Sequence, residues 1–377
     1  MKITPQTAKI VEPRDTLVVR DARPASEGVP MRTVAWPWPS SLAGMARTRV
    51  FSDSKNGAFP PEAADKARAL EVVGPWLVRL DARGQSEEIY FPAPRDAVFM
   101  PSEEKPNSVL RLGLGPIRLA ANEATDLANC ATVGFIDPKC PKGKSVPRPP
   151  AFWSYTALKA WLTMGDRKRD VLPKDWAEGL APLVRERRTH VTIAPETGTA
   201  TDGMLFSVEA LRFTPSQRAD APWNAPRYAL GFACDAKLDE GPVFLGGERR
   251  VSSLRTPTGK AFPEAFDLPK GHKGPLRIVL LTPGVFAAGH RPSEQALAKL
   301  GARLLAWAVD RPQAISGWDF DKQEPKRSRR VAPAGSVYWL EVEGDPITWA
   351  AAHQLSTLAD DPQDARDGFG LFAVGVG

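Results

Sequence analysis

Apolar positions along the chain switch between two periods, and the switches predict its elements. A strand-like run spans about residues 8–20 and closes on interleaved charges at Arg20, Asp21 and Arg23. Leu42, Met45, Ala46 and Val50 recur at helical spacing, which predicts a helix over about 40–51, capped by Ser40 or Ser41. A second helix is expected near 61–70. Strands are expected at 76–80 and 88–91, joined by a turn at Asp81-Ala82-Arg83-Gly84. Further on, Tyr155, Leu158 and Leu162 form a helical stripe. Residues 189–193 and 204–213 read as the arms of a long hairpin, with Val191 and Ile193 opposite Leu205 or Phe206 and a small polar tip at 196–203. Residues 276–281 read as a strand. Ser293 caps a predicted helix that carries Leu297, Leu300, Leu304, Leu305 and Ala308 on one face. A strand at 337–342, a helix at 348–358 and a terminal apolar strand complete the series.

With the insertions set aside, strand, helix, strand, strand, helix, strand recurs in each half. The chain has 37 prolines and 30 glycines, and they cluster at 92–108 and 137–151. The span of about 100–150 therefore reads as an insertion. Pro222 and Pro226 bracket Trp223, which sets a domain junction near 220–228. A length of 377 residues exceeds the usual size of one core, so two domains are expected.

Composition adds a partner class. Hydrophobic residues at 42% suffice for buried cores. The net charge of +6 and pI near 9.2 favour an anionic partner. Cys130, Cys140 and Cys234 form no C-x-x-C knuckle and have no neighbouring histidine, so they read as reduced thiols and not as zinc ligands. No stretch approaches the roughly 18 apolar residues of a membrane span, and the N-terminus has no apolar signal core, so a soluble intracellular protein is expected.

Candidate chemistry sits in four places. The C-terminal Gly368-Phe369-Gly370 loop offers backbone amides suited to phosphate. Gly44 lies inside a predicted helix at a cost relative to alanine, which fits a close backbone approach by a ligand. Gly246-Gly247-Glu248-Arg249 reads as a tight turn presenting amides. Arg20, Arg23, Arg47, Arg249 and Arg330 each adjoin such an element, and arginine forks match phosphate oxygens. Ion pairing with Asp15, Asp21 or Glu248 is the alternative use of those arginines. Trp318 is read either as a stacking face for a base or as a packing residue. Lys326-Arg327-Ser328-Arg329-Arg330 is an electrostatic patch. Of His190, His272, His290 and His353, none adjoins a nucleophile, an acid partner or a recognisable catalytic motif, so binding without turnover is expected.

Three motifs carry a family resemblance. E-P-x-D-T-L-x-x-R-D-x-R-P at residues 12–24, P-x-P-S-S-L-A-G at 37–44 and the terminal G-F-G-x-x-x-x-G resemble the RAMP superfamily of CRISPR proteins. Within it, the match is to the family of the third subunit of the type III-B (Cmr) effector complex. Residues 244–249, 315–319 and 330–338 are similar to internal motifs of that family, whereas about 100–150 matches nothing in it. The resemblance implies an α+β fold of two ferredoxin-like (RRM-like) βαββαβ domains with insertions. The first would cover 1–222, including the hairpin, and the second 223–377. It further implies a cytoplasmic, non-catalytic subunit that holds the repeat-derived 5′ tag of the guide RNA (crRNA). Such a subunit links the large polymerase-like subunit to the backbone RAMP subunits, meets target RNA only indirectly and needs no cofactor. The implied RNA-binding residues are Arg20, Arg23, Ser40, Ser41, Gly44, Arg47, Gly246, Gly247, Glu248, Arg249, Trp318, Arg330, Gly368, Phe369 and Gly370. The hairpin, with Arg185, Arg187 and Arg188 at its base, would serve as a thumb along the guide. A guide-processing RAMP endoribonuclease and the equivalent subunit of a type III-A or III-D complex are the alternatives.

Overall fold

The computed structural model of the chain describes residues 3–22, 32–52, 60, 63–103, 105–117, 119, 125, 127, 130–141, 143–165, 167–213, 227–319 and 324–377. The fold mixes short helices with antiparallel sheets. Contacts divide it into two units, each discontinuous in sequence: 1–87, 182–261 and 314–329 form the first, and 88–181, 262–313 and 330–377 the second.

In the first unit the strand Ala8–Pro13 has antiparallel partners on both edges. Arg227–Cys234 lies on one side, with Ile10 opposite Gly231, and Val251–Arg255 on the other, with Val11 opposite Leu254. Val72–Leu80 pairs with the outer edge of Arg227–Cys234, and Gly241–Phe244 with the outer edge of Val251–Arg255. Four of these strands, numbered by chain order as 8–13, 72–80, 227–234 and 251–255, thus stand side by side as second, third, first, fourth. The single boundary expected between 222 and 223 differs from this division. Arg227–Cys234 is hydrogen-bonded on both edges to strands from the start of the chain, so its backbone belongs with them. Residues 220–226 of the expected junction lie outside the described residues.

The helix Pro39–Phe51 buries Leu42, Met45 and Ala46, as the spacing predicted, and Ala43 beside them, while Val50 of the expected face is half-buried. Its cap differs from the expectation. Trp38 is the capping residue, no side chain caps it, and Ser40 and Ser41 lie inside the first turn. Pro39 at the first helical position explains this, because its preset φ starts the helix and its missing N–H removes one donor that a cap would satisfy.

In the second unit Leu276–Leu280 lies between Val337–Val342 and Phe372–Val376, with Ala302–Ala308 outside Val337–Val342, all antiparallel. Numbered by chain order, these strands again stand as second, third, first, fourth. Ile278, Leu280, Tyr338, Leu340, Phe372 and Val374 are buried in the core of this unit. Ser293 caps a helix as expected, accepting from the Ala296 amide at 3.1 Å, but that helix covers only Glu294–Ala298. Gly301, at φ +61°, ends it. Leu304, Leu305 and Ala308, expected on a helical face, lie in a strand instead, where the ladder to Val337–Val342 overrides a leucine spacing that suits a helix.

The expected insertion is sheet over much of its described length. Ala97–Pro101, Thr132–Phe135 and Asp170–Pro173 all pair antiparallel with Ser108–Ile117. Beside it, Asp96 and Arg277 are fully buried and 2.8 Å apart, and Arg167 reaches the same carboxylate at 2.9 Å. Trp161 Nε1 donates to the other Asp96 oxygen at 2.9 Å. Burial pulls the Arg277 guanidinium below its ordinary pKa, and the Asp96 charge opposes that shift. Among the described residues no helix is long and apolar enough to cross a membrane.

Candidate nucleic-acid interface

Three elements of the first unit converge on the backbone of residues 17–20. Leu17 exchanges two backbone hydrogen bonds of 2.8 Å with Leu211. Val18 packs with Val208 and Ala210 of the hairpin. The Val18 carbonyl accepts the Gly247 amide at 2.7 Å. Gly246 makes this approach possible, since it sits at φ +75° and a Cβ there would overlap the Val18 carbonyl. Beyond this junction Arg20 is exposed and bridges to Thr33 through its backbone. The segment that leads to sequence-predicted Arg20 and the turn Gly246–Arg249 are therefore fastened to each other at Val18, two residues before Arg20.

Charges around it are ordered into a chain. Arg188 donates twice to Asp15, at 3.1 and 3.2 Å, and Arg250 donates to Asp15 at 2.7 Å and to Glu248 at 2.6 Å. Glu186 accepts from Arg188 at 2.6 Å and from Arg212. The Arg188 hydrogen bond holds the Asp15 carboxyl below its ordinary value, and Arg212, then Arg188, does the same for Glu186. These pairs are partly exposed, so they orient groups more than they stabilise the fold. Arg188, expected as a basic contact at the hairpin base, and Glu248, expected at the RNA, are both engaged in this chain. Arg20 and Arg249 have no acidic partner among the described residues, and the Arg249 guanidinium lies over the Phe244 ring at 5.3 Å.

The hairpin is a two-stranded ribbon, Val184–Ile193 against Ala200–Arg212, paired with no larger sheet. Val191 faces Leu205, as expected. Ile193 faces Ala200 across an irregularity, and His190 faces Phe206 with the rings stacked 5.4 Å apart. Residues 200–203, expected in the tip, extend the second arm. Apolar side chains remain exposed along the ribbon, Leu205 at 69% and also Val191, Ile193, Met204 and Phe206.

Other expected site residues lie elsewhere or are occupied. Gly44 is on the exposed side of its helix with open space where a Cβ would stand. Arg47 donates to the Leu70 carbonyl at 3.1 Å. Trp318 is 48% exposed in a short pairing with Pro325, and residues 326–330 beyond it are exposed. Arg330 belongs to the second unit and Trp318 to the first. Arg23 lies outside the described residues.

The terminal glycine loop corrects the expectation of bared amides. The Gly368, Phe369 and Gly370 amides donate to the carbonyls of Ala365, Asp364 and Pro283 at 3.0, 3.0 and 2.8 Å, and Phe369 is wholly buried. Gly370, at φ +73°, is required because a Cβ would overlap the Leu358 carbonyl. These glycines close the second unit's core and leave no amide for phosphate.

Three histidines face backbone carbonyls: His272 that of Pro275 at 2.9 Å, His290 that of Ala288 at 3.0 Å and His353 that of Trp349 at 2.8 Å. The described residues include no carboxylate hydrogen-bonded to any histidine ring. Cys130, Cys140 and Cys234 are free thiols.

Sequence reasoning missed Phe244 as the exposed ring under Arg249, and it named Asp15 as a pairing acid without its actual partners, Arg188 and Arg250. The alternation of Arg14, Asp15, Arg188, Arg250 and their neighbours carried a weak signal, since pairing across such distances in sequence is invisible before the strands are placed.

The family model described as CRISPR-associated protein (Cas_Cmr3) matches residues 10–377. No curated protein matches the chain. Similar solved structures include a cryo-EM structure of the type III-B Cmr-beta bound to cognate target RNA and AMPPnP in state 1. That match has 15% identity and a TM-score of 0.44, and covers 88% of this chain and 86% of that one. A cryo-EM structure of the type III-B Cmr-beta bound to cognate target RNA is similar at 14% identity and TM-score 0.43, with the same coverages of 88% and 86%.

Proposed function

The chain belongs to the CRISPR-associated Cas_Cmr3 family of type III-B effector subunits, and from that premise we propose that it is a non-catalytic RNA-binding subunit. In this reading it holds the repeat-derived 5′ tag of the guide RNA, joins the large polymerase-like subunit to the backbone RAMP subunits and works in the cytoplasm. Target RNA reaches it only through the guide.

One observation carries the reading. Arg20 and Arg249, two exposed guanidiniums without acidic partners among the described residues, adjoin elements fastened to each other at the Val18 carbonyl. Guanidinium forks held by rigid backbone suit successive phosphates of one strand. The strand order second, third, first, fourth in both units supports two ferredoxin-like βαββαβ sheets. In the first of them, the strand Gly241–Phe244 and the turn Gly247–Arg249 take the place of the second helix in chain order, with Gly241–Phe244 added to the sheet edge.

The test is salt-dependent binding of tag RNA to the assembled complex. Replacing Arg20 and Arg249 with alanine should weaken guide loading and reduce the log–log salt slope by about 0.7 per lost single-strand phosphate contact. Unchanged occupancy and slope would overturn the reading.

A further inference from the structure

The turn after the edge strand Gly241–Phe244 is strained for a purpose that packing does not explain. Glu248 and Arg249, neither of them glycine, occupy consecutive left-handed conformations at φ +58° and +49°, a region sparsely populated by such residues and kept only where surroundings enforce it. Here they do. Leu245 is buried and its amide donates to the Arg250 carbonyl at 3.0 Å. The Gly247 amide is fixed on Val18 at 2.7 Å. Arg250 holds the Glu248 carboxylate at 2.6 Å while itself anchored on Asp15 at 2.7 Å.

The product of this arrangement is the placement of two side chains. Phe244 points out of the edge strand and is 57% exposed, while its neighbours Val243 and Leu245 are buried. Arg249 lays its guanidinium over that ring at 5.3 Å. Glu248, the acid next to Arg249 in sequence, is taken by Arg250, so the Arg249 charge is left uncompensated. An exposed ring joined to an unpaired guanidinium is the composition that single-stranded nucleic acid selects. The ring and the guanidinium plane each accept a base by stacking, and the remaining N–H groups donate to a phosphate.

We infer that Phe244 and Arg249 form a stacking platform for one unpaired nucleobase of the bound RNA, with Arg249 also donating to the adjoining phosphate. This rests on the RNA-binding reading above and adds to it a base contact made through Phe244. Stacking tolerates any base, so the platform sets the register of the strand and not its sequence.

The experiment uses the full-length protein and a fluorescein-labelled single-stranded RNA of the repeat-derived tag, followed by a series of the same RNA with 2-aminopurine at each position in turn. Wild type should quench 2-aminopurine at one position. Phe244→Leu should lose that quench and weaken binding about 5- to 150-fold, the range for one aromatic–base stack, with the salt slope unchanged. Phe244→Tyr should restore both. Arg249→Ala should weaken binding and also lower the salt slope by about 0.7. Since Phe244 is mostly exposed, its variants should melt at the wild-type temperature, which the same samples check. If wild type binds the RNA but Phe244→Leu keeps its affinity and its quench, the platform is wrong and the RNA-binding reading stands. Normal RNA binding by Phe244→Leu with loss of assembly onto the other subunits would equally overturn it, since the ring would then be a protein contact. If wild type binds no tag RNA, alone or in the complex, both ideas fail.

Discussion

The Asp96 carboxylate and the Arg277 guanidinium meet at 2.8 Å with neither side chain reaching solvent. Asp96 precedes the sheet of the expected insertion, and Arg277 lies in the central strand Leu276–Leu280, so one buried pair fastens that sheet to the second unit's core. Asp96 also receives Arg167 and the Trp161 indole. Removing the charge would strand two guanidiniums in the interior. Asp96→Asn should therefore cost about 3–5 kcal/mol, read as a lowered urea midpoint of the purified protein. A loss under about 1 kcal/mol would mean that the pair is solvated.

Asp15 should behave in the opposite way. Its ion pairs are partly exposed, so Asp15→Asn should change global stability by less than about 1 kcal/mol. Its effect should be local, speeding amide exchange at Leu17 and Leu211, where the ribbon joins the junction. The pH dependence has a definite sign. Arg188 lowers the folded-state pKa of Asp15 from 3.8, so its contribution is complete above the unfolded-state value and lost as pH falls through the lowered one. Exchange protection at these two amides, corrected for intrinsic rates, should hold from pH 7 to 5 and weaken below about 4.

Two glycines separate structural from surface roles. Gly370→Ala should destabilise the protein by roughly 1–3 kcal/mol, because its left-handed φ and the Leu358 carbonyl leave no room for a Cβ. Gly44→Ala should instead stabilise by up to about 1 kcal/mol, since its helical site is open. If the exposed side at Gly44 meets RNA closely, the same stable variant will load less guide. Thermal melting and guide occupancy measured on one preparation distinguish these outcomes.

Shortening the ribbon between Ala194 and Gly203 to a two-residue turn should leave the melting temperature within a few degrees of wild type, because the removed residues are exposed. The expected loss is in RNA protection where the tag of the guide RNA meets its spacer, read by footprinting the assembled complex. Wild-type protection there would reduce the ribbon to a surface loop.

Purified protein incubated with labelled repeat RNA, with and without magnesium or manganese, should leave it intact. Cutting that disappears on replacing His190, His272, His290 or His353 would establish a nuclease.

Much of the fold was legible where one period dominated. Leu42, Met45 and Ala46 marked their helix, and Val191 found Leu205 across the ribbon. Expectation failed where tertiary pairing competed with local pattern. Leu300, Leu304 and Ala308 have helical spacing, yet Gly301 breaks the helix and pairing with Val337–Val342 draws Ala302–Ala308 into a strand. The tail glycines looked like a ligand loop because sequence cannot tell an amide that meets a carbonyl from one that is bare. Arg20 and Arg249 were found through motif resemblance. Asp15 was legible as a pairing acid but its partners were not, and Phe244 was missed, because both roles depend on what folding delivers: two arginines distant in sequence, and one guanidinium laid across a ring by a strained turn.

The position of Arg227–Cys234 between Ala8–Pro13 and Val72–Leu80 has a consequence for synthesis. Both flanking strands are made long before their shared partner, and at about 5–20 residues per second they wait on the order of ten seconds with unpaired edges. Open edges of this kind recruit other strands. The first unit is thus completed late in translation, and a nascent chain halted near residue 222 should bind chaperones as an unfinished sheet and not persist as a free-standing module.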